Sequence, residues 1–433
     1  MKAKIRNISI FSMIFLLLPV TGCKKIIEHT DTDFSWLRNE LIAINSSDPA
    51  INESSMDSIL EKIGDAQIVA LGEATHGTSE FWKIRQKITR YLVEKKGFRA
   101  ILMEASFPAS FALHDYITVG SGTLSEAHQT LGSWRYSEMQ DFIRWMRQYN
   151  IEHPADGNGP ALHFYGYDTA FQSWTEAINL ILTFLQQVDA GEVENINTRL
   201  QNHTKDDAVY LCEFFTGNES LYISRSSPKE YNKIFRIVNN LVSSWEIWNR
   251  LSLNRPTLEY RDSVNILNVN CIMTNLLPGC KIVLWAHNGH IRNGYMNDVN
   301  GKAKMLGYRL RSQFGSSYYP IATEFYGGHF LAWDECAGHD FLFIDHTVAS
   351  PPGESYTYRL KQALVPLYYL DLSRINYSDP NSAWIQGPEK VRMIGATYCF
   401  NNDLQYYDTL SLPEYYDGIV FVANSHPTTR ITF

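Results

Sequence analysis

QIVALGEATHGTSEFWKIRQKITRYLVEKKGFRAILMEA, Gln67 to Ala105, is the stretch whose reading decides the fold. Gln67 to Leu71 is a short apolar run with turn residues on both sides, which reads as a buried strand. Phe81, Trp82, Ile84, Ile88 and Leu92 then fall on a helical period over Glu80 to Leu92. Thr78 or Ser79 stands where a cap is needed, and Gly97 follows the helix end. Arg99 to Met103 is a second strand. Strand, helix and strand in so short a span form the unit of a parallel sheet.

The pattern continues on both sides. Upstream, a short helix is expected around Trp36 to Ile44. Downstream, helices are expected around Ala109 to Tyr116 and near Met139 to Tyr149. The turn-rich HPADGNGP, His153 to Pro160, leads into a third strand at Leu162 to Tyr165. From Asp168 to about Asp262 the sequence is helical, with few strand-like runs. KIVLW, Lys281 to Trp285, restores the strand pattern. Tyr318 to Thr323, Phe341 to Ile344 and Ile419 to Val422 are further strands. The fold class is therefore α/β, a mostly parallel sheet flanked by helices, with a helical insertion or cap. The expected divisions are an α/β core at 36–168, a helical insertion at 169–262 and the rest of the core at 263–433.

The amino-terminal residues read as a targeting segment. Lys2, Lys4 and Arg6 precede an apolar run, Ile8 to Leu18, that is too short to span a bilayer as a helix. Val20, Thr21, Gly22 and Cys23 resemble the lipobox of bacterial lipoproteins. That resemblance implies a signal peptide at 1–22, lipid attachment at Cys23, a tether at 23–35, and an exported, membrane-anchored protein. A net charge of −8 with no basic stripe excludes a nucleic-acid partner. Cys212, Cys271, Cys280, Cys336 and Cys399 match no zinc or redox spacing, so they are expected in the core; nothing requires a disulfide.

Chemistry concentrates where strands end. The first strand ends LGEATHG, with Glu73 and His76; the second LMEAS, with Glu104. The third ends FYGYD, with Asp168, and the fourth LWAHNGH, with His287 and His290. Parallel strands bring all of these to the carboxyl edge of one sheet, where open α/β sheets hold ligands. The G-x-S-x-G elbow, the H-E-x-x-H zinc helix, the P-loop and G-x-G-x-x-G are absent. A site without a dedicated nucleophile must activate water, a task for a histidine oriented by a carboxylate. Arg85, in the helix after His76, is placed to hold both glutamates or a developing oxyanion.

Leu71 to Ala105 resembles the erythromycin esterase family, in which G-E-x-T-H-G leads into a helix bearing an Arg, then G-F and a strand ending in Glu. The likeness continues in WRYSEMQDFIRWMRQYN (Trp134 to Asn150), FYGYD (Phe164 to Asp168), RDSVNILN (Arg261 to Asn268), WAHNGHI (Trp285 to Ile291) and YDGIVFV (Tyr416 to Val422). It implies that His76 is the general base. Glu73, Arg85, Glu104 and a histidine of the WAHNGH stretch, His287 or His290, match the other active-site positions. Asn265 stands where the family more often has Met. The span from Gln172 to Glu259 matches weakly, and as cleft wall it would set substrate choice. The implied substrate is a small ester or lactone, macrolide-like or saccharide-linked, with Asp168 as a substrate contact and antibiotic inactivation as a role. No cofactor is expected. The alternatives are a divalent-metal hydrolase using the same Glu and His side chains, or a ligand-binding lipoprotein without catalysis.

Overall fold

The computed structural model describes residues 33–154, 162–170, 173–299, 301–336 and 342–432. The expected signal peptide, Cys23 and the tether as far as residue 32 lie outside the described residues. So do most of the His153–Pro160 turn and Phe341, the start of one expected strand.

Among the described residues the main sheet has ten strands. In chain order they are β1 (Ile42–Ala43), β2 (Ile68–Glu73), β3 (Phe98–Ser106), β4 (His163–Asp168) and β5 (Lys281–His287). Then come β6 (Tyr318–Asp334), β7 (Phe343–Thr347), β8 (Leu367–Asp371), β9 (Thr397–Tyr398) and β10 (Gly418–Ser425). The order across the sheet is β1-β8-β10-β6-β2-β5-β3-β4. Every pairing from β10 to β4 is parallel, while β8 and β1 add antiparallel at one edge. β6 runs on past the sheet, and there it pairs with β7 antiparallel and with β9 parallel.

Alternation of side chains explains why the central strands are apolar throughout. Ile68 and Ala70 of β2, Ala100 and Leu102 of β3, and Ile282 and Leu284 of β5 enter one buried cluster. Val69, Leu71, Ile101, Met103, Val283 and Trp285 enter the other. Both faces of a parallel sheet are covered, so neither register position tolerates polarity. The helix Ser79–Lys96 covers the second face and ends on Gly97 in the left-handed region at φ 74°. Its expected cap is not used: the Thr78 hydroxyl meets that of Thr75 at 2.6 Å, and the Ser79 hydroxyl donates to Glu138. The described elements between Trp174 and Cys271 are all helical. Ile178, Ile181, Phe184, Ile237 and Leu241 share a buried cluster with Ile68 and Leu102, so these helices are the layer over the first face.

Several expectations need correcting. The helix expected at Trp36 to Ile44 stops at Glu40, and Ile42–Ala43 becomes an edge strand. The strand expected at Phe341 to Ile344 is Phe343–Thr347, and it pairs with the extension of β6 outside the parallel core. Cys336 and Cys399 form a disulfide that closes β9 and its flanking loop onto the end of β6. Of the free cysteines among the described residues, Cys271 is buried, and Cys212 and Cys280 are half-buried.

Candidate active site

Strand register assembles the site. Glu73 at the end of β2 lies opposite His287 at the end of β5. On the other side of β5, Met103 lies opposite Trp285, which brings Glu104 beside them, and beyond a register shift Ser106 faces Asp168 of β4. Neighbouring strands are about 4.8 Å apart, so these side chains are within reach of one another. The chain leaves β2 past β5 towards β3, and leaves β5 past β2 towards β6. Glu73 and His287 therefore flank the topological switch point.

The polar groups divide into two clusters. In the first, Glu73 Oε1 meets His76 Nδ1 at 2.8 Å and its Oε2 meets Arg85 Nη2 at 2.6 Å. Arg85 is 2% exposed, sandwiched between Trp82 and Trp285 at 4.5 and 4.9 Å from the ring centres. Burial draws its pKa down against the pull of Glu73 and Glu104. His76 is 18% exposed, with Trp134 edge-on at 4.8 Å. Glu73 occupies its Nδ1, which leaves Nε2 as the ring nitrogen not bound to that carboxylate.

In the second cluster Arg261 joins Glu104, at 2.8 Å, to Asp168, and its Nε donates to Asp168 at 3.2 Å. His290 Nδ1 meets Asp262 at 2.9 Å, and its Nε2 lies 3.4 Å from Glu104. Burial opposes protonation of His290, but Asp262 and Glu104 outweigh it and hold its pKa above the usual histidine value. Burial likewise opposes ionisation of Glu104, yet the charges of His290, Arg261 and His76 keep its carboxyl well below the usual range. Protonated, His290 donates to both Asp262 and Glu104. Its 3.3 Å approach to Arg261 is offset by the three carboxylates around the two cations.

His287 stands between the clusters. Its backbone N–H donates to Glu104 at 3.0 Å, and its Nδ1 accepts from the Gly289 N–H at 3.1 Å. The ring proton of the neutral form is thus assigned to Nε2, a buried atom without a partner among the described residues. Burial, with His76 nearby, lowers its pKa to about 3. The His76 and His287 rings are 5.6 Å apart. Gly395, at φ 70°, borders both: a Cβ there would stand 3.8 Å from His287 Nε2 and 4.0 Å from His76 Nε2.

His76 opens into a cleft of about 530 Å³ walled by Trp134, Tyr136, Trp333 and Phe343. The family model for erythromycin esterase matches residues 93–425, which include Glu104, Arg261, His287 and His290. The chain belongs to the erythromycin esterase family. An erythromycin esterase type II of Escherichia coli is 21% identical over 330 residues, 69% of this chain and 78% of that one. A crystal structure of a Bacillus cereus protein has a TM-score of 0.78 at 21% identity, covering 92% of this chain and 98% of its own. A mutant of the erythromycin esterase EreC in its open conformation gives 0.68 at 16% identity, covering 88% and 96%. These likenesses show the fold.

Against that family background, the expected residues do not all sit where sequence placed them. Glu73, His76, Glu104, His287 and His290 converge. Arg85 pairs with Glu73 and is buried between its two tryptophans, with no ion pair to Glu104 among the described residues. Asp168, expected to touch substrate, is fully buried, with its carboxylate taken by Arg261 and the Ala170 amide. Ser106 accepts the Ala109 amide in a turn. The cleft beside His76 takes no wall from the helices between Trp174 and Cys271; they contribute Trp248 to an adjoining hollow of about 230 Å³. Arg261 and Asp262 were missed as site residues, although RDSVNILN displayed them. They lie on the helix Leu258–Cys271, where a search of strand ends does not look. Asn265 accepts the Thr169 amide at 3.0 Å, which pins the turn after Asp168.

Proposed function

We propose that this protein hydrolyses a carboxylic ester or lactone by attack of a water that His76 deprotonates. The observation that carries the reading is the Arg85–Glu73–His76 chain, which ends in one histidine nitrogen at the floor of a cleft. Water gives its proton to His76 Nε2 and its oxygen to the ester carbonyl carbon. The carbonyl oxygen gains the electron pair, and the donor assigned to that charge is the neutral His287 Nε2–H, whose ring lies 5.6 Å from that of His76. Collapse expels the alkoxide, which recovers the proton from His76.

No metal enters this reading. Glu104 and Glu73, the carboxylates a divalent ion would use, are each already paired with a guanidinium. Among the described residues no three His, Cys, Asp or Glu side chains converge as a metal-binding group. The test is hydrolysis of an aryl ester or simple lactone by purified protein before and after exhaustive chelation. Turnover unaffected by chelator is expected; activity lost to it and restored by a divalent ion would overturn the metal-free mechanism.

We further propose that the protein is exported and lipid-anchored at Cys23. The lipobox-like V-T-G-C supports this, and the Cys336–Cys399 disulfide suits an oxidising compartment. Labelled fatty acid should enter the wild type and be absent from Cys23→Ser.

A further inference from the structure

The rim of the His76 cleft carries an electrostatic feature that ester hydrolysis alone does not require. Arg85, Arg261, Arg292, Arg311 and Arg359 all pair with carboxylates. Arg135 and Arg430, both on the cleft wall, do not: among the described residues neither forms an ion pair. The chain has a net charge of −8, and yet among the described residues no carboxylate lines this cleft. Glu138, behind this wall, is occupied by the Ser79 hydroxyl at 2.7 Å and by the Ser137 hydroxyl and the Thr429 amide.

Backbone pairing brings the segments that carry the two arginines together. Tyr136 and Arg430 form an antiparallel bridge, and the Ile431 N–H donates to the Arg135 carbonyl at 2.8 Å. Arg135 Nε donates to the Gly132 carbonyl at 2.8 Å. Arg430 lies over the Phe343 ring at 5.0 Å, and Phe343 in turn packs on Trp333 at 5.1 Å. Stacking presents a guanidinium edge while its face is covered, an arrangement suited to a planar or tetrahedral oxyanion.

We propose that this cleft selects an anionic ester, one whose non-reacting part carries a carboxylate or phosphate held by Arg135 and Arg430 while its carbonyl lies over His76. The inference rests on the ester-hydrolase reading and narrows it. A macrolide with a protonated amine would bring a cation to two cations, so a neutral or cationic macrolide is disfavoured here.

Amide analogues of the esters test this by binding, without turnover. The probes are N-benzylsuccinamate, the phosphate ester of N-(2-hydroxyethyl)benzamide, neutral N-benzylbutyramide and its 4-dimethylamino derivative, titrated calorimetrically into the wild type. At low salt the anionic probes should bind about tenfold more tightly than the neutral one, the scale of one charge-assisted hydrogen bond at a partly exposed site. The cationic probe should bind most weakly, and added salt should compress the differences. The order should collapse in R135Q/R430Q and persist in R135K/R430K, which keeps the charge. Equal affinity across the probes in the wild type, or a preference that survives R135Q/R430Q, overturns the proposal. Ester turnover is scored separately. Charge preference without turnover leaves this site standing and removes the hydrolase reading, and turnover without charge preference does the reverse.

Discussion

His76 and His290 are built alike and left in opposite conditions. Each directs Nδ1 at a carboxylate, Glu73 at 2.8 Å or Asp262 at 2.9 Å, and each belongs to a cluster containing one arginine. The difference lies at Nε2. In His76 it faces a cleft, whereas in His290 it is closed in by Glu104 and Arg261. The first cluster therefore keeps one ring nitrogen towards the cleft, and the second has its ring nitrogens among charged partners. The two histidines differ in where the second ring nitrogen points, although each has a carboxylate on Nδ1.

The sharpest way to break this contrast is His76→Asn. It should keep the far-ultraviolet spectrum and unfolding midpoint while ester turnover falls by about 10² to 10⁴-fold. Glu73→Gln should fall nearly as far, and the double variant little further, since the groups act as a unit. Near-normal turnover by a folded His76→Asn protein would erase the distinction. His287→Met comes next. It removes the donor and should lower kcat by about 10² to 10³-fold. The loss should be level across the neutral range, because a histidine held at about 3 does not titrate there.

For His290→Asn the expected loss is in stability, about 3–5 kcal/mol, because removing one member of a buried charged cluster strands the others. The pH dependence has a definite sign. His290 is held above its ordinary 6.5, so its stabilisation is complete below pH 6.5 and fades as pH rises through the raised value. Glu104 is held below its ordinary 4.5, so its contribution is complete above pH 4.5 and fades as pH falls through the lowered value. Denaturant melts should show the widest gap between wild type and variant from pH 4.5 to 6.5, narrowing on the alkaline side. A gap that widens with pH would contradict the cationic assignment. Gly395→Ala should be mildest. A methyl group at positive φ costs about 1–2 kcal/mol, measurable as a lower unfolding midpoint, with some loss of kcat/KM because it fills the space bordering both reactive nitrogens.

The sequence disclosed what is local. Gln67 to Met103 displays its strands and helix through periodicity, and the strand ends carry Glu73, Glu104 and His287 in the open. β8, Leu367–Asp371, escaped because it joins the sheet antiparallel with no helix to complete a repeating unit. Arg261 escaped because its membership depends on how the helix Leu258–Cys271 packs against β4, a tertiary fact with no local period. The division between His287 and His290, three residues apart, was likewise invisible. It depends on Asp262, supplied from 28 positions away. Sequence assigned the cleft wall to the weakly matching helices; His76 itself is faced by Trp134, Phe343 and Arg430 from other segments, while those helices wall the neighbouring hollows through Ile247, Trp248 and Leu251.

The Cys336–Cys399 bridge spans 63 positions and ties the loop bearing Gly395 to the extension of β6 that bears Trp333. Closing a loop of that length removes about 4 kcal/mol of disorder from the unfolded chain in the entropic account. The tie lies outside the parallel core, so chain made in a reducing cytosol would still build its sheet and both charged clusters. It would lack the rivet in one jaw of the cleft. Redox history during production then becomes a variable of catalysis: batches indistinguishable by circular dichroism would differ in how firmly they hold a substrate.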